Sequence, residues 1–203
     1  MAAIRSASRL RQCRHWVFDL DGTLTVALHD FAAIRRALGI GEADDILAHV
    51  AALPAPEANA ANQWLHAHER ELALAAAPAH GAVALVQELA SRGCRLGILT
   101  RNLRELALIT LQAIGLDAHF HPDDVLGREE AAPKPDPAGL LHLATRWAVP
   151  PDELVMVGDY AYDLACARAA GAASVMVNVP GDPWPTLTDW RFEHCLGLRD
   201  ALA

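Results

Sequence analysis

Trp16-Val17-Phe18-Asp19-Leu20-Asp21-Gly22-Thr23-Leu24-Thr25 is the stretch on which the fold turns. The apolar run Trp16-Val17-Phe18 predicts a short buried strand, and it delivers Asp19 and Asp21 into a turn at Gly22 where that strand must end. Carboxylates lose solvation wherever a sheet buries them, so two of them at the mouth of a strand mark a site and not a core. Gly22 lets the backbone fold back sharply, and Thr23 and Thr25 set hydroxyls beside the acids.

Beyond this turn the pattern changes. Residues 26–77 are Ala-rich and helical in period. Phe31, Ile34 and Leu38 predict a first helix stopped at Gly39, a second is expected over 43–53 before Pro54 and Pro56, and a third over 57–77 before Pro78. Three helices without a strand predict a small all-α cap, inserted directly after the aspartate turn and so well placed to lie above it. From Gly81 onward helix and strand alternate as in a parallel sheet. Val83, Leu85, Val86 and Leu89 mark a helix, and the strand over 95–99 ends at Thr100. A helix over 103–114 stops at Gly115, Val125-Leu126 is a short strand, and a loop over 127–135 precedes a helix over 137–147. The strand over 154–157 ends in Gly158-Asp159; a helix over 160–170, a strand over 174–177, a loop holding Pro and Trp, and a short terminal helix complete the pattern. The expected fold class is α/β, a Rossmann-like parallel sheet formed by residues 1–24 and 79–203, with 25–78 as the helical cap.

The bulk properties fit one such unit. At 203 residues the chain can bury one full core plus an insertion, and 53% hydrophobic with 21% charged residues is a globular composition. A formal charge of −8 offers no basic stripe for a nucleic acid backbone. Cys13, Cys94, Cys166 and Cys195 lie far apart without CxxC spacing, which suggests neither a disulfide framework nor a zinc site. Arg5, Arg9, Arg11 and Arg14 precede Trp16 without the apolar run of a secretory signal, so that segment reads as a frayed tail or a short surface helix. No span has membrane length. The expected location is the cytoplasm, as a monomer or weak dimer without membrane or nucleic acid partners.

Ligands of open parallel sheets sit outside the carboxyl ends of the strands. Here those ends carry Asp19, Thr100 and Asp159, with Lys134 and Asp163 in adjoining loop or helix-start positions. Asp159 and Asp163, four apart, fall on one side of an incipient helix. Four ionised carboxylates against one lysine leave a charge of −3, which could not accept a dianionic phosphate unaided. A divalent hard cation is required, and oxygen ligands alone select Mg2+. Of 17 basic residues only Lys134 is a lysine, which points to a need for a compact ammonium at that place.

Asp19-Leu-Asp-Gly-Thr-Leu-Thr, Leu99-Thr100-Arg-Asn102, Lys134-Pro-Asp and Gly158-Asp159-Tyr-Ala-Tyr-Asp163 resemble, in order, the four motifs of the haloacid dehalogenase superfamily. The likeness runs from Trp16 over nearly the whole chain, and the helical insertion is similar to the cap of the phosphoglycolate-phosphatase-like branch. The resemblance implies a two-step phosphoryl transfer: Asp19 as nucleophile, Asp21 as general acid and then base. It further implies Mg2+ on the Asp19 carboxylate, the Asp21 carbonyl and Asp159, with Asp163 orienting the metal waters or Lys134. Thr100 and the Asn102 amide would hold the phosphoryl oxygens, and Lys134 would neutralise their charge.

Read singly, these residues have plainer explanations. Thr100 alone is a strand-end cap, Lys134 a surface charge, and Asp159 and Asp163 acids favoured by a helix dipole. Only their joint placement carries the functional reading. Arg101, between Thr100 and Asn102, and Arg35 or Arg36 on the first cap helix are candidate substrate contacts. Trp64, Trp147, Trp184 and Trp190 read as core packing, with the loop at Trp184 a candidate for the entrance; His29, His49, His66, His68 and His80 form no convincing metal cluster.

The expected activity is Mg2+-dependent hydrolysis of a small phosphorylated metabolite. A dehalogenase of the same fold lacks the Asp21 carboxylate, and a phosphonate-cleaving relative needs a cap lysine that this chain does not have. A sugar phosphomutase is the alternative within the fold. Residues 25–80 hold three arginines against seven acids, a poor match for a second phosphate. A non-catalytic partner-binding relative is the alternative outside it. Cap residues set specificity, and phosphoglycolate, a sugar phosphate and a nucleoside monophosphate all stay open.

Overall fold

The computed structural model describes residues 7–28, 30–42 and 44–203. After a short helix α1 (Ala7–Leu10), strand β1 (His15–Phe18) leads to α2 (Phe31–Leu38), α3 (Ile46–Ala52) and α4 (Ala55–Leu74), then to α5 (Ala82–Ser91) and β2 (Arg95–Leu99). There follow α6 (Arg104–Ala113), β3 (Val125–Leu126), α7 (Ala138–Trp147), β4 (Leu154–Gly158), α8 (Ala161–Ala170), β5 (Ala173–Met176), β6 (Trp190–Arg191) and α9 (Cys195–Leu202). All strand pairs are parallel, in the order β3-β2-β1-β4-β5-β6.

Successive side chains of a strand point to opposite faces, and each face here meets its own helices. Trp16, Phe18, Val155 and Val157 pack with α5, α6 and α9, while Val17, Leu154 and Met156 pack with α7 and α8. Buried on both sides, the central strands read as continuous apolar runs, which is why they were legible in the sequence. Among the described residues β6 is a two-residue edge strand in a segment expected as loop, and short 3-10 turns at Asp117–His119, Pro122–Asp124 and Pro151–Glu153 were likewise not expected.

The helical insertion has a small core of its own: Ile34, Ile40, Val50, Ala61 and Leu65 are buried together. It leaves and rejoins the sheet side by side, with Val26 N donating to Ala77 O and Ala79 N to Leu24 O, both at 2.9 Å. That pairing takes residues 75–77 out of the helix expected to include them. The helix expected from residue 43 begins at Ile46 because the Asp45 side chain accepts from Ala48 N and caps it there; residue 43 itself lies outside the described residues. Among the described residues no helix is long and apolar enough to cross a membrane.

Candidate active site

The strand order reverses at β1, which runs on to β2 on one side while β4 runs on to β5 on the other. A switch point of this kind opens a crevice at the carboxyl ends of the two central strands. Asp19 extends β1 by one residue, its N–H donating to Val157 O at 2.9 Å, and Asp159 follows the last residue of β4. Gly22 has φ of 85°, and a Cβ on it would run into the Asp159 carboxylate. Glycine is required there both for the turn and for the approach of that acid. Asn178, just after β5, ties the turn down by donating through Nδ2 to Gly22 O and Thr23 O at 2.8 and 2.9 Å. Thr23 Oγ1 donates to Asp159 Oδ1 at 2.7 Å, whereas Thr25 turns back to Leu20 O.

Lys134 stands buried between two of the acids, its Nζ 2.7 Å from Asp19 Oδ1 and 2.7 Å from Asp163 Oδ1. Asp163 lies in the first turn of α8, and its Oδ2 accepts from Tyr160 N at 3.0 Å, so both of its oxygens are engaged. Oxygens of Asp19, Asp159 and Asp163 all lie within 4.8 Å of one another, a set that could hold a metal ion. Burial raises every carboxyl of the group. It takes Asp21 to about 6 and Asp163 to about 6, with the Lys134 charge opposing both. Asp159 rises to about 7, through burial and then the charges of Asp19 and Asp163, and Asp19 is raised by burial in spite of Lys134. Burial also works against the ammonium of Lys134, but Asp163 and Asp19 more than offset it and hold the group above the ordinary lysine range. One ammonium thus faces more negative charge than it balances.

The strand β2 delivers the opposite wall. Thr100 N donates to Leu126 O at 3.0 Å, and the Asn102 amide donates to Thr100 Oγ1 at 3.1 Å. The two groups expected to face phosphoryl oxygens therefore face each other here. Asn102 also hydrogen-bonds Asp21 through its side chain and receives Leu103 N at 2.8 Å.

The helical insertion meets this wall through ion pairs. Glu69 of α4 takes a forked contact from Arg128, at 2.9 and 3.1 Å from Nη1 and 3.1 Å from Nη2, with both side chains close to nine-tenths buried. Arg128 N donates in turn to Asn102 O at 3.0 Å. Arg101 Nη2 meets Asp45 Oδ2 at 2.5 Å, with its guanidinium 4.8 Å from the Tyr162 ring centre. Between cap and sheet lies a cavity of about 580 Å³ bordered by Lys134, Arg101, Arg128, Tyr162 and the α3 residues Leu47 and Val50.

Residues 13–171 match the family model of the haloacid dehalogenase-like hydrolases. The chain belongs to that family. Over 194 residues it is 32% identical to a haloacid dehalogenase-like hydrolase domain-containing protein of Arabidopsis thaliana, covering 89% of this chain and 77% of the relative. Over 195 residues it is 35% identical to a phosphoglycolate phosphatase of Rhodospirillum rubrum, covering 80% of this chain and 78% of that protein. A hydrolase from Pseudomonas syringae has the same fold, with a TM-score of 0.77 at 24% identity over 93% of this chain and 97% of its own.

All the core residues quoted for the family likeness converge: Asp19, Asp21, Thr100, Asn102, Lys134, Asp159 and Asp163 meet at one crevice. Arg101 lines its cavity. Arg35 is not among the residues bordering it; it is half-buried on α2, where Nε donates to Asp44 O at 3.1 Å. Arg36 is exposed on the same helix. The core-packing reading of Trp64 is corrected, since Trp64 is exposed and stacked on His68 at 5.2 Å; α4 turns only one narrow stripe inward, and Trp64 stands off it. Trp147 and Trp190 are buried, and Trp184 packs edge-on to Tyr160 beside the crevice. The reading of His29 falls outside the described residues. Glu69 and Arg128 were missed. A signal existed for the first: Ala61, Leu65, Glu69 and Ala73 form the buried four-residue stripe of α4, with one charge in it.

Proposed function

We propose that the protein is a Mg2+-dependent phosphatase that hydrolyses a small phosphomonoester through a phospho-aspartate on Asp19, with residues 25–78 acting as its cap. The observation that carries this is Lys134 held at 2.7 Å from both Asp19 and Asp163, among acids that burial has shifted toward protonation. The residues fit a hard divalent cation: the donors are oxygens, they converge, and they lack positive charge. Asp19, Asp159 and the Asp21 carbonyl would hold the ion, while Asp163, with both oxygens occupied, holds Lys134 in place. Bound there, Mg2+ would neutralise charge on the phosphoryl oxygens and favour the ionised forms of Asp19 and Asp159.

The remaining steps belong to the chain's own groups. Asp19 attacks phosphorus opposite the ester oxygen, and Lys134 balances charge on the equatorial oxygens. Asp21, held to about 6 by burial, is partly protonated near neutrality and gives its proton to the departing alkoxide. It then takes a proton from the water that attacks the phosphorus of phospho-Asp19, releasing phosphate and restoring both acids. Thr100 and Asn102 release each other to receive phosphoryl oxygens. Among the described residues the cap places no cation on the cavity, which supports hydrolysis over a mutase that must hold a second phosphate.

The test is release of phosphate from p-nitrophenyl phosphate. Wild-type protein is expected to turn over with Mg2+ and to stop with EDTA, and Asp19→Asn to be inactive. Equal inactivity of folded, Mg2+-supplied wild type and Asp19→Asn would overturn the reading.

A further inference from the structure

The charge pattern of the cavity beside Lys134 bears on what the phosphoryl group is attached to, given the phosphatase reading on which this step rests. Three cations border that cavity, and each already faces an acid. Lys134 lies between Asp19 and Asp163, Arg128 is forked onto Glu69, and Arg101 meets Asp45. Glu129 stands at the rim and adds one more negative charge. Among the described lining residues no cation is left over for a carboxylate on the leaving group. Such a carboxylate would have to share Arg101 with Asp45 or Arg128 with Glu69, placing two anions on one guanidinium in a partly buried site.

A neutral oxygen meets no such obstacle. Arg101 lines the cavity with its Nη2 already on Asp45, and a hydroxyl or carbonyl oxygen can join that guanidinium without adding charge. Apolar walls from Leu47, Val50 and Pro133 and the amide of Asn62 complete a surface suited to an uncharged polar group. Size argues the same way. A glycolate leaving group has five heavy atoms and, at about 15 Å³ of cavity space for each, fills on the order of 75 Å³. The cavity measures about 580 Å³.

We propose that the substrate's leaving group is uncharged, rich in hydroxyls and of sugar to nucleoside size, and that Asp45 is a specificity-determining residue which excludes carboxylates by occupying Arg101. Asp45 divides its oxygens: Oδ1 caps α3 by accepting from Ala48 N at 3.0 Å, and Oδ2 takes Arg101. Asparagine at this position keeps the cap and turns an amide toward the guanidinium, so Asp45→Asn frees Arg101 while α3 keeps its start.

The experiment compares kcat/KM of the Mg2+-supplied protein for 2-phosphoglycolate, ribose 5-phosphate and adenosine 5′-monophosphate, with p-nitrophenyl phosphate as reference. Wild type is expected to favour ribose 5-phosphate or the nucleotide over 2-phosphoglycolate by tenfold or more, and the better of the two tells a free sugar from a nucleoside. In Asp45→Asn the ratio for 2-phosphoglycolate over ribose 5-phosphate is expected to rise about tenfold, with Asp45→Ser, which also caps, moving it the same way. A wild-type preference for 2-phosphoglycolate, or a ratio unmoved in both folded variants, overturns the proposal while leaving the phosphatase reading intact. Failure to hydrolyse even p-nitrophenyl phosphate overturns both.

Discussion

Lys134 is a point charge in a space that admits nothing broader. Its Nζ sits 2.7 Å from one oxygen each of Asp19 and Asp163 with the side chain almost wholly buried, a geometry that suits an ammonium and not the planar fork of a guanidinium. Removing it leaves two buried carboxylates without their counter-charge. Breaking a buried pair from one side costs about 3–5 kcal/mol, so Lys134→Ala is expected to lower the unfolding free energy measured in urea by that much in EDTA and by less with Mg2+ present. Lys134→Arg is expected not to restore activity. At Gly22 the constraint is steric: alanine there meets both a φ of 85° and the Asp159 carboxylate. Gly22→Ala is therefore expected to raise the Mg2+ concentration for half-maximal activity at least tenfold, read from a metal titration, with p-nitrophenyl phosphate as substrate.

At the scale of elements, the strand ends were legible because their chemistry is local. Each is an apolar run closed within one or two residues by an acid or a hydroxyl, as at Phe18-Asp19, Leu99-Thr100 and Gly158-Asp159. Helix limits in the cap were less so. Asp44 and Asp45 are equally good caps by sequence, and only the contact with Ala48 N chooses between them. The last residues of the third cap helix are helical by propensity, and the backbone pairing of Ala77 with Val26 overrides it. The Glu69–Arg128 contact joins residues 59 apart and has no local trace beyond a charge in a buried stripe. Through Arg128, whose N–H donates to Asn102 O, it ties the helical insertion to the loop holding Asn102. In urea unfolding, a double-mutant cycle with Glu69→Gln and Arg128→Gln is expected to give a coupling of about 1–3 kcal/mol. Glu69→Gln is also expected to speed amide exchange in α4 relative to α5; equal exchange in both helices would count against the lock.

For the whole molecule, the concentration of acids at the crevice ties stability to pH and metal together. Asp159 at about 7, and Asp163 and Asp21 at about 6, stand above the ordinary carboxylate value of 3.8. Between about pH 4 and 7 the folded chain therefore binds more protons than the unfolded chain, and this contribution to stability is present at low pH and lost as pH rises through those values. Other ionisable groups add their own slopes, so the contribution is isolated by comparison with Asp159→Asn, which cannot ionise. In EDTA, the Tm of Asp159→Asn relative to wild type is expected to be higher at pH 8 than at pH 5. Mg2+ acts in the opposite sense, because it binds the ionised acids and must displace protons to do so. The rise in wild-type Tm on adding Mg2+ is expected to be larger at pH 8 than at pH 5 and to shrink in Asp159→Asn at both. A Mg2+ shift that is equal at the two pH values, and unchanged by the substitution, would mean that the ion binds elsewhere and that the four acids are balanced without it.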